Sequence, residues 1–280
     1  MPIRLIAIDI DGTLLDSRGQ LPQANRNAIL NALDVGIEIA LVTGRTFQHA
    51  QPIAAALSEA LILIVNNGAL VKRLNGETLD RRLLNKSLAG KIITITRPIR
   101  RGAAVVFDRS DSRHYVFERV NWNHPNRRRY YERNKQFMTE VAPLEKALIE
   151  DPAQIAFTGS VAAMHLLAKR LREFPAAQHV SLTLTDYKAR NFSLLDITVD
   201  GCSKGSTLKN WSIGRGIDAT EVMAVGDNLN DLEMLEFAGY PVVMENAVPE
   251  LKVKGWHITQ SHDENGLATA IQNVALGLQD

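Results

Sequence analysis

Residues 3–9 are apolar on both faces until they reach a carboxylate, the pattern of a strand inside a parallel sheet. Residues 22–35 repeat apolar positions at helical spacing through Ala24, Ala28, Leu30 and Leu33 or their neighbours. Pro22 stands at a tolerated first-turn position, and Gly36 follows as a stop. A second buried strand, residues 37–42, ends in Thr43-Gly44-Arg45, and a helical stretch then runs through Ala56. Residues 61–65 form a third strand, ending in Asn66-Asn67-Gly68. Strand, helix, strand, helix, strand predicts a parallel sheet covered on both faces.

The pattern changes from about residue 84 to residue 191. Charge rises, and residues 103–107 and 115–118 read as a hairpin-like pair of strands. A basic, aromatic stretch at 126–135 separates them from a strand at 154–157, a helix at 161–174, and strands near 180–184 and 192–199. This is the pattern of an inserted α+β domain. The parallel style then returns, with helices at 203–212 and 228–237, a strand at 221–226, short strands at 241–244 and 256–259, and a closing helix at 265–276. The expectation is a core of residues 1–83 and 192–280, interrupted once by residues 84–191.

At 280 residues the chain is long for a single core, which agrees with two domains. The formal net charge of +1 gives no global field for nucleic acid or a membrane surface. Cys202, the single cysteine, cannot make an internal disulfide and points to a reducing compartment. The apolar run at the N-terminus is too short for a signal peptide, and no apolar stretch approaches the ~20 residues that span a bilayer. The reading is a soluble, cytoplasmic monomer or small homo-oligomer, with neither nucleic acid nor membrane as partner.

Ligands of open parallel sheets bind beyond the carboxyl ends of the strands. Four polar clusters fall at those ends: Asp9 to Thr13, Thr43-Gly44-Arg45, Asn66-Asn67-Gly68, and Gly226-Asp227-Asn228-Leu229-Asn230-Asp231. Asp9 and Asp11 serve one site if the chain leaves the strand after Asp9, and a divalent cation offsets their repulsion. Magnesium suits oxygen ligands of this kind, and Asp227 supplies a third carboxylate. Asp231 could hold a metal-bound water or fix Lys204. Taken alone, Asp9-x-Asp11 also reads as an Asp-Gly turn; the Asp227 cluster favours chemistry. Leu14 and Gln20 stand where an EF-hand needs glycine and glutamate, and the seven histidines form no zinc-like spacing. Thr43 and Gly44, between strand and helix, can bind a phosphoryl oxygen, and Lys204 opens a helix where its ammonium can neutralise phosphate.

Together these residues resemble a known family. Asp9-Ile10-Asp11-Gly12-Thr13-Leu14, Thr43-Gly44-Arg45, Ser203-Lys204-Gly205 and the Gly226–Asp231 run resemble, in order, the four motifs of the haloacid dehalogenase-like (HAD) hydrolases. The nearest likeness is to the Cof-type sugar-phosphatase branch, which Asn67-Gly68-Ala69, Glu245-Asn246-Ala247 and Asn265-Gly266 also resemble. The resemblance implies a Rossmann-like, doubly wound α/β core with a C2-type α+β cap, and a magnesium-dependent phosphatase of small phosphorylated metabolites. It makes Asp9 the nucleophile and a magnesium ligand. Asp11 becomes the general acid/base, touching the metal through its main-chain carbonyl, and Asp227 completes the metal site. Ile10, Thr43, Gly44, Lys204 and Asn230 hold the phosphoryl group. An aspartate at position 11 argues against dehalogenation and ion pumping, while a phosphomutase stays compatible.

Other readings remain beside it. Gly201-Cys202-Ser203-Lys204-Gly205 satisfies G-x-S-x-G, with Asp218 or Asp227 and then His257 or His262 in triad order, but it leaves Asp9, Asp11, Thr43 and Asn230 unexplained. A non-catalytic metabolite-binding protein on the same fold is the third reading. Gly214-Arg215-Gly216 mimics a dinucleotide fingerprint in reversed context. Within the insertion, Arg127, Arg128, Arg129, Tyr130 and Tyr131 suit a second phosphate, a carboxylate or a sugar face, or else make a solvated helix face. His114, Trp122 and His124 stay undecided.

Overall fold

The computed structural model describes residues 2–99, 102–110 and 113–277, and only the backbone of Asn126, Arg129 and Arg133. Two compact units divide the chain, Met1–Asp80 with Ser203–Asp280, and Arg81–Cys202.

The first unit is built on an eight-stranded sheet. Its first five strands are β1 (Leu5–Ile8), β2 (Glu38–Val42), β3 (Ile62–Val65), β4 (Leu70–Arg73) and β5 (Thr78–Arg81). After the six strands of the second unit come β12 (Val222–Gly226), β13 (Tyr240–Met244) and β14 (His257–Thr259). The order is β14-β13-β12-β1-β2-β3-β4-β5. From β14 to β3 every pairing is parallel, as the continuous apolar runs predict. The chain builds outward on one side of β1 and later on the other, so the switch point falls between β1 and β12. At the far edge β4 runs antiparallel to β3. The sequence reading lacked β4 and β5, because Lys72, Arg73 and Asn75 break any apolar run there.

Both faces of the sheet are dry. Leu5, Ala7, Ala40, Val42 and Ile64 pack with Leu208 of α6 (Lys204–Gly214) and with Met234 and Leu235 of α7 (Leu232–Phe237). The alternate residues Ile6, Ile8, Ile39, Leu41 and Leu63 are just as buried. The other helices of this unit are α1 (Gln23–Asp34), α2 (Phe47–Ala55), α8 (Pro249–Lys252) and α9 (Gly266–Ala270). The expected α1 face through Leu30 and Leu33 is corrected: α1 buries Asn25, Ala28, Ile29 and Ala32. Asn25 is tolerated inside because its amide donates to Leu14 O and accepts from Ala268 N–H.

The second unit has a six-stranded sheet, built from β6 (Ala103–Val106), β7 (Tyr115–Glu118), β8 (Met138–Glu140), β9 (Gln154–Gly159), β10 (Val180–Tyr187) and β11 (Phe192–Val199). Their order is β10-β11-β9-β6-β7-β8, antiparallel except for β7 with β8. One face carries α3 (Lys86–Thr96) and α5 (Val161–Leu171) over Val105, Ile155, Phe157, Leu195 and Ile197. On the opposite face Ala104, Val106, Tyr115, Phe117 and Ala156 meet Trp122, Met138 and the tyrosines of α4 (Pro125–Asn134). The helix expected to be solvated therefore buries Arg127, Tyr130 and Tyr131 in part and leaves Arg128 exposed. The side chain of Arg129 lies outside the described residues. The boundary drawn at residue 191 moves to Cys202, because β11 is hydrogen-bonded between β9 and β10. A long apolar strand reads the same in either kind of sheet.

Candidate active site

Asp9 follows β1 directly, and its N–H donates to Val225 O at 3.1 Å, one step beyond the β1–β12 ladder. The chain then turns back, with Leu14 N–H donating to Asp9 O and Leu15 N–H to Ile10 O. Gly12 permits that turn with φ 90°, and a Cβ there would lie 2.4 Å from Asp227 Oδ2. Any side chain at position 12 would push Asp227 away. Thr13 Oγ1 donates to Asp227 Oδ1 at 3.1 Å, so the loop after β1 is tied to the loop after β12.

Lys204 is the first residue of α6, whose N-terminus is fixed by a Ser203–Ser206 capping box. Its ammonium is fully enclosed and donates to Asp9 Oδ1 at 2.5 Å and to Asp231 Oδ1 at 2.6 Å. The second oxygen of Asp231 accepts the N–H groups of Asp227 and Asn228, each at 3.0 Å. Both Asp231 oxygens are thus engaged in holding Lys204 and shaping the loop. Burial, and then the nearby Asp231, push the Asp9 carboxyl up to about 7, against the pull of Lys204. Asp227 is also pushed up, by burial first and then by Asp9 and Asp231. Burial alone would depress Lys204, but Asp231 and Asp9 outweigh it and hold the ammonium's pKa above its ordinary value.

Carboxylate oxygens of Asp9, Asp227 and Asp231 lie within 4.8 Å of one another. Three carboxylates around one ammonium carry excess negative charge when ionised, and an all-oxygen donor set fits a hard divalent cation. Asp9 and Asp227 are the residues suited to hold it, since Asp231 is occupied. Asp11 falls outside this cluster, and its carboxylate sits on the Arg45 guanidinium, with Nε at 2.7 Å and Nη2 at 2.6 Å. Its side chain therefore carries no support for metal ligation, and the implied contact is left to its main-chain carbonyl.

Thr43 is buried after β2, where its Oγ1 accepts from Arg45 N–H at 3.1 Å. The hydroxyl proton remains to be given elsewhere. Gly44 is half-buried beside it. Ile10 is buried in the loop after β1. Asn230 lies in the turn Leu229–Asp231, and among the described residues its amide makes no hydrogen bond to the other site residues.

Sequence reasoning named two residues of the site only inside motifs and gave neither a role. One is Arg45, which lies before the N-cap of α2 and partners Asp11; its spacing carries no hint of that contact. The other is Asn246, whose amide donates to Gly12 O at 2.8 Å and accepts from His262 N–H at 2.9 Å. Nearby, Val248 N–H donates to Asp227 O at 3.0 Å. The loop after β13 thereby braces both carboxylate loops, and only the Glu245-Asn246-Ala247 resemblance pointed to it. Asn246→Ala is expected to cost about 1 kcal/mol of stability, read as a lower melting temperature.

The G-x-S-x-G reading is overturned. Ser203 caps α6, and its hydroxyl contacts Ser206 N–H and the Glu233 carboxylate. The strand before it, β11, belongs to the antiparallel sheet of the other unit, so no strand feeds α6 as a nucleophile elbow requires.

The model of the haloacid dehalogenase-like hydrolase family matches residues 6–271. The Streptococcus pyogenes protein M6_Spy0533 is 31% identical over 293 residues, covering 99% of this chain and 100% of the relative. The Bacillus subtilis 5-amino-6-(5-phospho-D-ribitylamino)uracil phosphatase YwtE is 28% identical over 296 residues, covering 98% and 99%. A haloacid dehalogenase-like hydrolase structure from B. subtilis superposes with TM-score 0.81 at 25% identity, covering 97% of this chain and 100% of that one.

Proposed function

The chain belongs to the haloacid dehalogenase-like hydrolase family, and on that premise we propose that it hydrolyses phosphate monoesters of small metabolites through an aspartyl phosphate on Asp9. The observation that carries this reading is the Lys204 ammonium set between Asp9 and Asp231, with Asp227 alongside. YwtE is named for a phosphorylated ribityl compound. Only the class is carried over here: a small phosphorylated metabolite, of which sugar phosphates are the first to test.

In the first step an Asp9 carboxylate oxygen attacks phosphorus, and the bond to the leaving oxygen breaks. Asp11 gives that oxygen its proton. In the second step Asp11 takes a proton from water, the water oxygen attacks phosphorus, and inorganic phosphate leaves with Asp9 restored. Lys204, the Thr43 hydroxyl and the Gly44 N–H hold the phosphoryl oxygens, with Asn230 and the Ile10 backbone as further contacts. Asp9, Asp227 and the Asp11 carbonyl would hold a magnesium ion, which would supply charge stabilisation to that transfer. In the structure Asp11 is paired with Arg45 as a carboxylate, and it leaves that guanidinium to carry the proton it donates.

Phosphate release from an aryl phosphate and from a panel of sugar phosphates, with magnesium or with EDTA, tests the reading. Turnover that needs magnesium and survives Ser203→Ala is expected. Magnesium-independent turnover, or none on any substrate, would sink it.

Asp9 also sets a pH dependence. Its carboxyl is raised from an ordinary value near 3.8 to about 7, so between these values the folded protein holds a proton that the unfolded chain has released. Stability in EDTA is therefore expected to fall as pH rises through that window. Magnesium competes with the proton, so the melting temperature it adds should be larger at about pH 8 than at about pH 5. Equal increments at both would show that Asp9 is not a ligand.

A further inference from the structure

The turn between β3 and β4 is buried and left-handed, whereas hairpin loops ordinarily lie in water. Asn66, Asn67 and Gly68 hold φ 53°, 53° and 99°. Asparagine enters the left-handed region more readily than most residues, but two in succession persist only where the surroundings impose them. We propose that this turn is a strut between the two halves of the phosphoryl-binding site, with Asn67 and Thr207 as positioning residues. It sets the spacing between Thr43 and Gly44 on one side and Lys204 on the other. That role presupposes the phosphoryl contacts proposed above for Thr43, Gly44 and Lys204. Every group involved belongs to the first unit.

One flank of the strut grips the loop after β2. Asn66 N–H donates to Arg45 O at 2.9 Å and Asn67 N–H to Thr43 O at 3.1 Å, so the carbonyls of both neighbours of Gly44 are pinned to the turn. A trans peptide is planar, and its C=O and N–H point opposite ways. Holding Thr43 O toward Asn67 therefore turns the Gly44 N–H away from the strut and fixes the direction in which it can donate. The Asn67 amide also lies against Gly44, where a Cβ would stand 3.0 Å from Asn67 Oδ1. Glycine at position 44 is what lets the two loops lie so close.

The other flank grips α6 around Lys204. Thr207 Oγ1, buried one turn beyond Lys204, donates to Gly68 O at 2.8 Å. On the near side of Lys204, Gly68 presses on the Ser203 backbone, and a Cβ at position 68 would collide with Ser203 O. The capping box keeps this first turn of α6 rigid, so the position of Lys204 is linked to that of the strut. The turn supplies no acid, base or nucleophile. Its contribution is distance, and a misplacement of about 1 Å at a reacting centre costs up to about 10²-fold in rate.

Thr207→Val and Thr207→Ser test the strut at its α6 end. Valine keeps the shape and loses the donor; serine keeps the donor. Asn67→Gly tests the other end, since glycine holds positive φ without strain and removes only the side chain. Turnover of an aryl phosphate with magnesium, inhibition by orthovanadate as a mimic of the transferring phosphoryl group, and melting are measured on the full chain. Thr207→Val and Asn67→Gly are expected to lose about tenfold in kcat, with KM changed by less than about twofold. Both should bind vanadate about tenfold more weakly, while Thr207→Ser stays within about twofold of wild type. A merely structural role would lower the melting temperature and leave kcat and vanadate affinity unchanged below the melt. That result, or equal losses in Thr207→Ser and Thr207→Val, overturns the strut. Asn67→Gly keeps the test open if Thr207→Val fails to fold. Turnover lost in Asp9→Asn yet unchanged in Asn67→Gly and Thr207→Val overturns the strut alone. No turnover by wild type sinks the Asp9 reading, and the strut with it.

Discussion

If Asp9 is the nucleophile, Asp9→Asn is expected to lose phosphate release by about 10⁴-fold or more, on every substrate and at every magnesium concentration. Asparagine keeps the shape of aspartate and can still accept from Lys204 Nζ, which lies 2.5 Å from Asp9 Oδ1. It cannot attack phosphorus as an anion, and among the described residues the other carboxylates of the site are engaged, Asp227 with the Thr13 hydroxyl. Asp231 is committed on both oxygens, and Asp11 is held by Arg45. The fold should not suffer. A carboxyl whose pKa is pushed up to about 7 is a burden when ionised, and the neutral amide removes it. Melting in EDTA at about pH 8 should therefore match or exceed wild type, while the magnesium increment disappears. Activity within about tenfold of wild type would refute Asp9 as nucleophile. A large drop in melting temperature would mean that the loss reports misfolding and not chemistry.

Lys204→Met has the largest expected effect on stability. The ammonium is enclosed between Asp9 and Asp231, and methionine keeps its volume but not its charge. Two buried carboxylates then face each other with Asp227 close by. Removing one member of a buried ion pair costs about 3–5 kcal/mol, or roughly 10 °C in the melting of the first unit. Acid should relieve the loss. Asp9, already pushed up to about 7 against the pull of Lys204, rises further without that ammonium and recovers its proton as pH falls, so the deficit shrinks toward about pH 5. Turnover should fall at least about 10²-fold at neutral pH if Lys204 holds the transferring phosphoryl group as proposed. A deficit of the same size at both pH values would mean that methionine fails by packing, and the electrostatic account would be wrong.

Much of the site is legible in the order of residues. Asp9, Thr43 and Asp227 each stand at the end of an apolar run, and a parallel sheet collects such ends along one edge. Lys204 reads as a helix-opening cation, and fixing it is one of two roles the sequence allows Asp231. The contacts that decide between those roles span 27 residues to Asp231 and 195 to Asp9, which no local pattern encodes.

The chain's own order of residues determined the α/β core, the insertion within it, and the edge where its carboxylates gather. These follow from periodicity and from strand ends, which are local properties of backbone and burial. Tertiary structure alone decided the rest. It assigned β11 to the antiparallel sheet, because pairing partners and not apolar content define a sheet. It set Asn25 inside and Leu30 at the margin, because two backbone groups wait for that amide. It drew Arg45 to Asp11, Asn246 to Gly12 and Arg127 to Thr158. Each of these is a polar contact between residues distant in sequence, whose strength depends on the water that folding has removed.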